Sequence, residues 1–314
     1  MAKNSKLIIG TRSSNLALWQ AEFIKSELMK KHSNLEVELK LIKTKGDKIL
    51  DVALSKIGDK GLFTKELEEQ LLNKSIDLAV HSLKDLQTTL FPGLKVGAIT
   101  KRHDVEDVFI GRKPGLTIFN IPEGGTIATG ALRRRSQLKH LRPDLNIVEL
   151  RGNVPGRIQK FLESDWDGII LARAGVERLG LENNISSVIG LDYLLTAPGQ
   201  GALGIEIRED DPNVEELVTI LNDKNTELCV RAERQFLKSL EGGCQAPIAA
   251  YAKILNNGLL LDGFAGAIDG SITFRKRLRG KLQLPEELGK KLASQILDAG
   301  AKEILDEIFK EAGR

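Results

Sequence analysis

The chain has 314 residues, a net charge of only +3, two cysteines and four histidines. Two cysteines exclude a disulfide framework, the scattered histidines give no zinc-binding spacing, and no signal peptide or membrane-spanning run is found, so we expect a metal-free, cytoplasmic protein. Because the net charge is small, the molecule as a whole is not a polyanion binder, and any functional positive charge must be local.

Short apolar runs alternate with helical patterns through the first two thirds of the chain. The predicted strands are 7–10, 35–42, 78–80, 96–99, 126–128, 147–150 and 168–171, and the predicted helices are 16–31, 131–141 and 155–162. This alternation predicts an α/β fold with mostly parallel sheets. Two segments begin alike, with a strand, then Thr11 or Thr129, then a helix, which predicts two similar lobes.

Beyond residue 210 the pattern changes. Helices are predicted at 211–221 and 227–240, apolar runs at 248–255, 259–267 and 272–278, and one last helix from Pro285 through Ile308. Asn-Gly and Asp-Gly turns separate the apolar runs, and such turns signal an antiparallel meander. The C-terminal third is therefore predicted to be a small α+β domain.

Cys244 lies in the run LEGGCQAP at 240–247, just past a predicted helix and directly after two glycines. The other cysteine, Cys229, shares a helical stripe with Ala232, Phe236 and Leu240 and is predicted to be buried. Glycines can end a helix and let another group approach the backbone, so they would present Cys244 in a turn. Cys244 is a candidate nucleophile or attachment point, and the alternative is a small buried residue in a loop.

Arginines recur where strands end and helices begin. Arg12 follows the first strand, Arg133 and Arg134 open a helix, and Arg151 and Arg157 bracket the turn RGNVPGR. A cation at a helix N-terminus opposes the helix dipole by about 0.3 to 1 kcal/mol, so this placement predicts a bound carboxylate or phosphate. The alternative is that these arginines are solvated or pair with acidic residues of the chain itself.

Asp85 lies in AVHSLKDL at 79–86, directly after a strand that is predicted to be buried. His81, Ser82 and Lys84 make this strand end polar, and the charge of Lys84 would favour an ionised Asp85. An ionised carboxylate can stabilise a developing cation or move a proton. The alternative is an aspartate that caps a turn.

Two glycine-containing segments and one basic run complete the candidates. Segment 48–63 is interpreted as a lid over an anionic ligand, with a plain surface loop as the alternative. Segment 196–206 lacks the lysine and hydroxyl of a phosphate loop, and is interpreted as the chain crossing back between the lobes, with Gln200 reaching the cleft. The basic run 133–142 could bind nucleic acid, but no aromatic residues interleave with it.

Nine ordered motifs cover nearly the whole chain: GTRSSNLALWQ, KTKGDKIL, DKGLFTKELE, AVHSLKD, ALRRRSQL, LRGNV, DGIILARAGVERLG, PGQGALGIE and LEGGCQAPI. With them the chain resembles the porphobilinogen deaminase (hydroxymethylbilane synthase) family. The resemblance implies two periplasmic-binding-protein-like lobes with mixed, mostly parallel sheets, plus a small C-terminal α+β domain with a three-stranded antiparallel sheet. It places lobe 1 at 1–100 and 200–220, lobe 2 at 101–199, and the C-terminal domain at 221–314.

The resemblance also implies a transferase of tetrapyrrole (haem) biosynthesis, which joins four porphobilinogen units head to tail into hydroxymethylbilane and releases ammonia at each addition. Cys244 would carry a dipyrromethane primer through a thioether, and Asp85 would be the catalytic carboxylate. Carboxylates of primer and substrate would be held by Arg12, Ser14, Ser82, Lys84, Thr129, Arg133, Arg134, Arg151, Gly152, Asn153, Arg157, Arg178 and Gln200. Lys56, Lys60 and Phe63 would belong to the lid. Porphobilinogen would be the partner of a monomer that binds no nucleic acid, membrane or metal.

Six positions depart from the usual family pattern, and three of them lack a hydroxyl group that is common there. Gly130 and Ala131 stand where a pair of serines is common, and Gly156 stands where a threonine is common. The lost hydroxyls fall in predicted anion-binding turns, so contacts there must come from backbone amides or arginines. A different class of function also stays open, a two-lobed binding module or sensor for an organic polyanion, without turnover.

Overall fold

The computed structural model of the chain describes residues 5–48, 61, 64–241 and 246–311. Within them, the first of two compact units runs to position 103 and resumes at 201–227, and the second takes 104–200 and everything from 228 onward. Cys244 and the candidate lid residues Lys56, Lys60 and Phe63 lie outside the described residues.

The described part of the chain contains thirteen strands and ten α-helices. The strands are β1 Ser5–Thr11, β2 Leu35–Leu41, β3 Leu78–Ser82, β4 Leu94–Ile99, β5 Asp107–Gly111, β6 Thr126–Ala128, β7 Asn146–Val148, β8 Gly168–Ala172, β9 Ser187–Ile189, β10 Leu203–Arg208, β11 Ile248–Leu255, β12 Gly258–Gly266 and β13 Thr273–Lys281. The helices are α1 Asn15–Lys31, α2 Lys45–Lys48, α3 Lys65–Leu72, α4 Leu132–Leu141, α5 Val154–Leu162, α6 Arg173–Glu177, α7 Pro212–Thr219, α8 Lys224–Ser239, α9 Pro285–Ile296 and α10 Lys302–Glu311. Short 3-10 turns cover Leu83–Asp85 and Glu182–Asn184, and a π-turn covers Leu297–Ala301.

The two five-stranded sheets share one strand arrangement. The first has the order β2-β1-β3-β10-β4 and the second has the order β7-β6-β8-β5-β9. In each sheet, three neighbouring strands run parallel, and the fourth strand runs antiparallel to both of its neighbours. In the first sheet the antiparallel strand is β10, the last of its strands in sequence, and in the second sheet it is β5, the first of its strands in sequence. This repeated arrangement confirms two similar lobes with mixed, mostly parallel sheets.

The core of the first unit lies between its sheet and α1. Ala17, Ala21, Ile24 and Leu28 recur at intervals of three or four residues on α1, and all four are buried. The last three pack against alternate apolar residues of β1, β3 and β10, because successive strand residues point to opposite faces. Burying an isoleucine or leucine side chain contributes about 2 kcal/mol, so this packing fixes the strand ends that carry the site.

The C-terminal sheet is an antiparallel meander in the order β11-β12-β13, as predicted. Asn256 and Asn257 both have positive φ, at 49° and 58°, which is the conformation that a two-residue hairpin turn needs. The predicted stripe on α8 is also confirmed, because Cys229 and Phe236 lie in the core of this domain. None of the described helices is long and apolar enough to cross a membrane.

The prediction of one long C-terminal helix is wrong. α9 ends at Ile296, and α10 starts at Lys302 after the π-turn. Gly300 has a φ of 110° inside that turn, a conformation that is open to glycine and breaks the α-helical hydrogen bonding. Both helices still place their apolar residues, Leu292 and Leu305 among them, in the same core, so the apolar spacing continues across the break.

Candidate active site

Asp85 is exposed at the carboxyl end of β3, in the 3-10 turn that follows the strand. β1 runs parallel to β3 and ends beside it, so Arg12, directly after β1, reaches the same edge of the sheet. A pocket of about 430 Å³, open to solvent, lies at this edge. It is lined by Arg12, Ser14, Leu16, Ala17, Gln20, Thr64, Val80, His81, Ser82 and Asp85. The structure therefore brings four of the predicted site residues of the first unit together, and Lys84 is half-buried in the same turn.

Hydrogen bonds fix the walls of this pocket. Ser14 is the N-cap of α1 and accepts a long hydrogen bond of 3.4 Å from Ala17 N. Gln20 is buried and donates from Nε2 to Ser82 Oγ at 2.7 Å, which joins α1 to the end of β3. The sequence analysis does not identify Gln20 as a site residue, although it lies in the motif GTRSSNLALWQ.

In the second unit, Arg133 and Arg134 at the start of α4 bind Asp107, the first residue of β5. Arg133 donates from Nη1 and Nη2 to Asp107 at 2.7 and 3.1 Å, and Arg134 donates from Nε and Nη2 at 3.0 and 2.7 Å. Burial alone would raise the pKa of Asp107, but the two guanidinium charges hold that pKa well below its ordinary value. The anion that these two arginines face in the structure is therefore a carboxylate of the chain itself, as the alternative interpretation held.

Gln200 belongs to the same buried cluster. Its Nε2 donates to Val105 O at 2.7 Å and to Asp107 Oδ1 at 2.9 Å, and its Oε1 accepts from Arg133 Nη2 at 3.1 Å. Arg134 also donates from Nη1 to Ile170 O at 2.9 Å. The four polar side chains thus fix the start of α4 against β5 and β8, and their action on an external carboxylate stays a prediction.

A second group of predicted residues lies at the ends of β6 and β7. Thr129 N donates to Val148 O at 2.9 Å, which holds the two strand ends together. Asn153 is the N-cap of α5 and accepts from Gly156 N at 2.8 Å, and Arg157 donates from Nε to Gly152 O at 2.7 Å. Gly152 has a φ of 116°, so this turn requires glycine.

These turns offer donors that fit a polycarboxylate. Arg151 Nη1 and Thr129 Oγ1 are buried, and neither has a hydrogen-bond partner among the described residues. A buried donor without an acceptor costs about 1–3 kcal/mol, and a bound carboxylate would supply the acceptor. Arg178, directly after α6, adds a further cation, since burial lowers its pKa only to about 10 and it stays charged at neutral pH.

The family models match in two consecutive blocks. Residues 7–216 match "Porphobilinogen deaminase, dipyromethane cofactor binding domain", and residues 227–298 match "Porphobilinogen deaminase, C-terminal domain". The chain belongs to the porphobilinogen deaminase family. A porphobilinogen deaminase of Carboxydothermus hydrogenoformans is 50% identical over 307 residues, which cover 98% of each chain. One of Chlorobium phaeobacteroides is 52% identical over 309 residues, which cover 97% of this chain and 98% of the other.

Among solved structures, the methionine-binding protein MetQ aligns with a TM-score of 0.44 and 13% identity, over 70% of this chain and 89% of its own. The matched cofactor-binding domain contains Asp85 and every residue that the sequence analysis predicts to hold carboxylates, Arg151 included. Unpartnered buried donors and nearby arginines are the chemistry that a dipyrromethane needs for its acidic side chains, so the residues present fit this cofactor. The roles of the individual residues stay predictions.

Proposed function

We propose that this member of the porphobilinogen deaminase family uses Asp85 as its catalytic carboxylate and Cys244 as the attachment point of its dipyrromethane cofactor. The observation that carries the proposal is the pocket at the end of β3, where Asp85 and Arg12 line one space. The family reaction is the transfer of porphobilinogen units, four in succession, into a linear tetrapyrrole with loss of ammonia at each addition.

Asp85 suits this reaction because each addition passes through a cation. The side chain is exposed in the pocket, where it can reach the aminomethyl end of a bound substrate. An ionised carboxylate stabilises positive charge that develops as ammonia leaves, and it can accept the proton that the ring later loses. Arg12, in the same pocket wall, supplies a guanidinium for a substrate carboxylate.

When bound, dipyrromethane supplies the terminal pyrrole ring that accepts the first porphobilinogen. Arg151, Thr129, Arg157 and Arg178 are the residues that we propose hold its carboxylates, since the first two carry buried donor groups without described partners. Ion pairs with the buried Asp107 fix Arg133 and Arg134 at the start of α4. Covalent attachment keeps the growing chain at the site through several additions, which converts each encounter into an intramolecular step.

Intact-mass measurement of the purified protein tests the proposal most directly. We expect an excess of two pyrrole units, which disappears in Cys244→Ser and persists in the control Cys229→Ala, because Cys229 is buried in the core of the C-terminal domain. Ammonia release from porphobilinogen should accompany the mass excess. A bare chain mass together with no ammonia release would overturn the proposal, and saturable binding of porphobilinogen without turnover would favour the two-lobed binding module.

We also propose that the protein works as a monomer in the cytoplasm, with porphobilinogen as its partner and without nucleic acid. The net charge of +3 and the presence of only two cysteines support this part of the proposal. Light scattering after size-exclusion chromatography should give the mass of one chain, and a dimer mass would contradict it. Binding to DNA or RNA at low salt would contradict the expected partner class.

A further inference from the structure

Behind the Asp85 pocket, three titratable side chains form a buried cluster. His81 Nε2 lies 3.0 Å from Glu206 Oε2, and the two side chains are only 6% and 0% exposed. This distance is that of a hydrogen bond between the imidazole and the carboxyl group. Glu68 on α3 is also buried, and its burial, followed by the charge of Glu206, raises its pKa above the ordinary value.

Strand register explains why His81 and Glu206 meet. In the pairing of β3 with β10, Gly204 is opposite His81 and Glu206 is opposite Ala79. Residues that are directly opposite point to the same face of a sheet, so His81 and Glu206 are diagonal neighbours on one face. The β10 residues Ile205 and Ile207 point to the other face and pack in the core with α1. The two polar side chains therefore lie on the side opposite α1.

α3 covers this side of the sheet. Leu67 and Leu71 of α3 share an apolar cluster with Ala79 of β3. Glu68 and Thr64 are four residues apart at the start of the helix, so they project from the same side of it. Thr64 and His81 are both lining residues of the Asp85 pocket. Each of the two buried carboxyl groups therefore has a neighbour in the pocket wall, Thr64 for Glu68 and His81 for Glu206.

Two carboxyl oxygens of the cluster are left without a described partner. Glu68 Oε1 and Glu206 Oε1 are buried and have no hydrogen-bond partner among the residues that the structure describes. A buried oxygen that is left unpaired costs about 1–3 kcal/mol, and a proton held on one of the two carboxyl groups would lower this cost. Two ionised carboxylates next to one neutral imidazole would also leave two buried negative charges uncompensated.

We propose that Glu68, His81 and Glu206 form a proton-holding cluster, which takes up one proton from the Asp85 pocket during each addition and then returns it. The inference rests on the proposed function. Two buried carboxyl groups and one imidazole lie together here, and each proton that the cluster binds reduces its buried negative charge. The three side chains are positioning groups, because in this proposal they act on the reaction through Asp85.

Each addition releases one proton from a pyrrole ring, and the cluster would hold this proton. At each addition the C–N bond of the aminomethyl group, which is protonated as an ammonium group, breaks, and the nitrogen leaves as ammonia with the bonding electrons. The methylene carbon then bonds to a pyrrole ring carbon, and that carbon loses its proton while the C–H electrons return to the ring. Asp85 receives this proton and the cluster holds it, until it passes back through the pocket and protonates ammonia that has already been released, giving ammonium.

Spectroscopy on the holoenzyme tests the cluster independently of turnover. Infrared titration should show the carbonyl band of a protonated carboxyl group at neutral pH in the wild type. The band should vanish in Glu68→Gln and persist in Glu69→Gln, since Glu69 is the exposed neighbour on the same helix. Imidazole ¹⁵N spectra should show His81 protonated on Nε2, and this signal should shift in Glu206→Gln but not in Glu209→Gln, whose site is exposed.

Kinetics supply the second measurement. We expect Glu206→Gln to lower kcat about tenfold at the optimum with KM changed less than about twofold, and Glu206→Asp to recover part of the loss. The pH profile of kcat should lose one ionisation in Glu206→Gln. The charged groups that face His81 are Glu206 from β10, Glu68 from α3, and Asp85 and Arg12 at the pocket. All four influence the pH profile of kcat.

Two outcomes would overturn the proposal that this cluster holds protons. One is a wild-type spectrum without a protonated carboxyl band, and the other is a variant that keeps its cofactor mass, fold and full pH profile. A wild-type protein that carries no cofactor and releases no ammonia would instead overturn the proposed function. The infrared and ¹⁵N readouts would still report on the cluster in that case, so the two failures are distinguishable.

Discussion

Arg134 binds Asp107 through two hydrogen bonds, from Nε to Oδ2 at 3.0 Å and from Nη2 to Oδ1 at 2.7 Å. Both residues are buried, and Arg133 contacts the same carboxylate. Removing the negative charge would leave two guanidinium groups in a buried site without an ion partner. A buried charge that loses its partner destabilises a protein by about 3–5 kcal/mol.

We therefore expect Asp107→Asn to lower the free energy of unfolding by about 3–5 kcal/mol in urea titrations. Asp104→Asn is the control, because Asp104 pairs with Arg173 at 2.8 Å but its side chain is 53% exposed, and such surface pairs contribute less than about 1 kcal/mol. Equal losses in the two variants would show that the Asp107 cluster is no more important than a surface ion pair.

Asp85→Asn should separate catalysis from folding. The amide has the same size as the carboxylate but carries no charge and is a poor proton acceptor, so kcat should fall by about 100-fold or more. Because Asp85 is exposed, the melting temperature should stay close to the wild-type value. Asp210→Asn, at an exposed position after β10, should leave the rate of ammonia release unchanged. A near-normal rate in Asp85→Asn would contradict the role of this carboxylate.

Glu68 should make the stability of the protein fall as the pH rises. Its pKa is raised in the folded state by burial and by the charge of Glu206, so the folded chain holds a proton that the unfolded chain releases. The stability from this group is present below its unfolded pKa of about 4.3 and is lost as pH rises through the folded value.

Glu68→Gln should therefore gain stability relative to the wild type as the pH rises above about 4.3, the unfolded pKa of glutamate, as measured by urea unfolding at each pH. Glu69→Gln should keep the wild-type pH dependence, because Glu69 is exposed on the same helix. Parallel curves for wild type and Glu68→Gln would mean that Glu68 titrates alike in the folded and unfolded chains.

The predicted strands and helices are those with strong local signals. The apolar run at 126–128 and the meander from 248 are found where expected, because β-branched runs and Asn-Gly turns are local features. β5 and α3 are not predicted. β5 is stabilised by pairing with β8 and β9, partners that are distant in sequence. Pairing between strands that are distant in sequence gives no local sequence pattern that would predict it.

The candidate site is likewise predicted only in part. Arg12 and Asp85 are predicted because strand ends at the edge of a parallel sheet are common ligand sites, and the structure places both at one pocket. Asp107 is not predicted, although it decides what Arg133 and Arg134 bind. Its position at the start of an unpredicted strand gives no signal, and its partners lie 26 and 27 residues away along the chain.

Gly130 and Ala131 stand where serines are common in the family. We expect serine to change the free energy of unfolding in opposite directions at these two positions. A Cβ atom at Gly130 would lie 2.5 Å from the backbone oxygen of Leu150, a contact that the backbone must move to relieve. Ala131 is instead the N-cap of α4, with φ −103° and ψ 118°. A serine there has the backbone conformation to accept a hydrogen bond from the N–H of Arg133 or Arg134.

We expect Ala131→Ser to raise the free energy of unfolding by about 0.5–2 kcal/mol, the usual gain when a helix N-cap receives a hydroxyl. Gly130→Ser should lower it by about 1–3 kcal/mol, because the added atoms overpack a tight backbone contact. Urea unfolding of the two single variants measures both effects, and each serves as the control for the other, since both add a hydroxyl to the same turn. If Gly130→Ser were as stable as the wild type, the close approach of residue 130 to Leu150 would not be what requires glycine there.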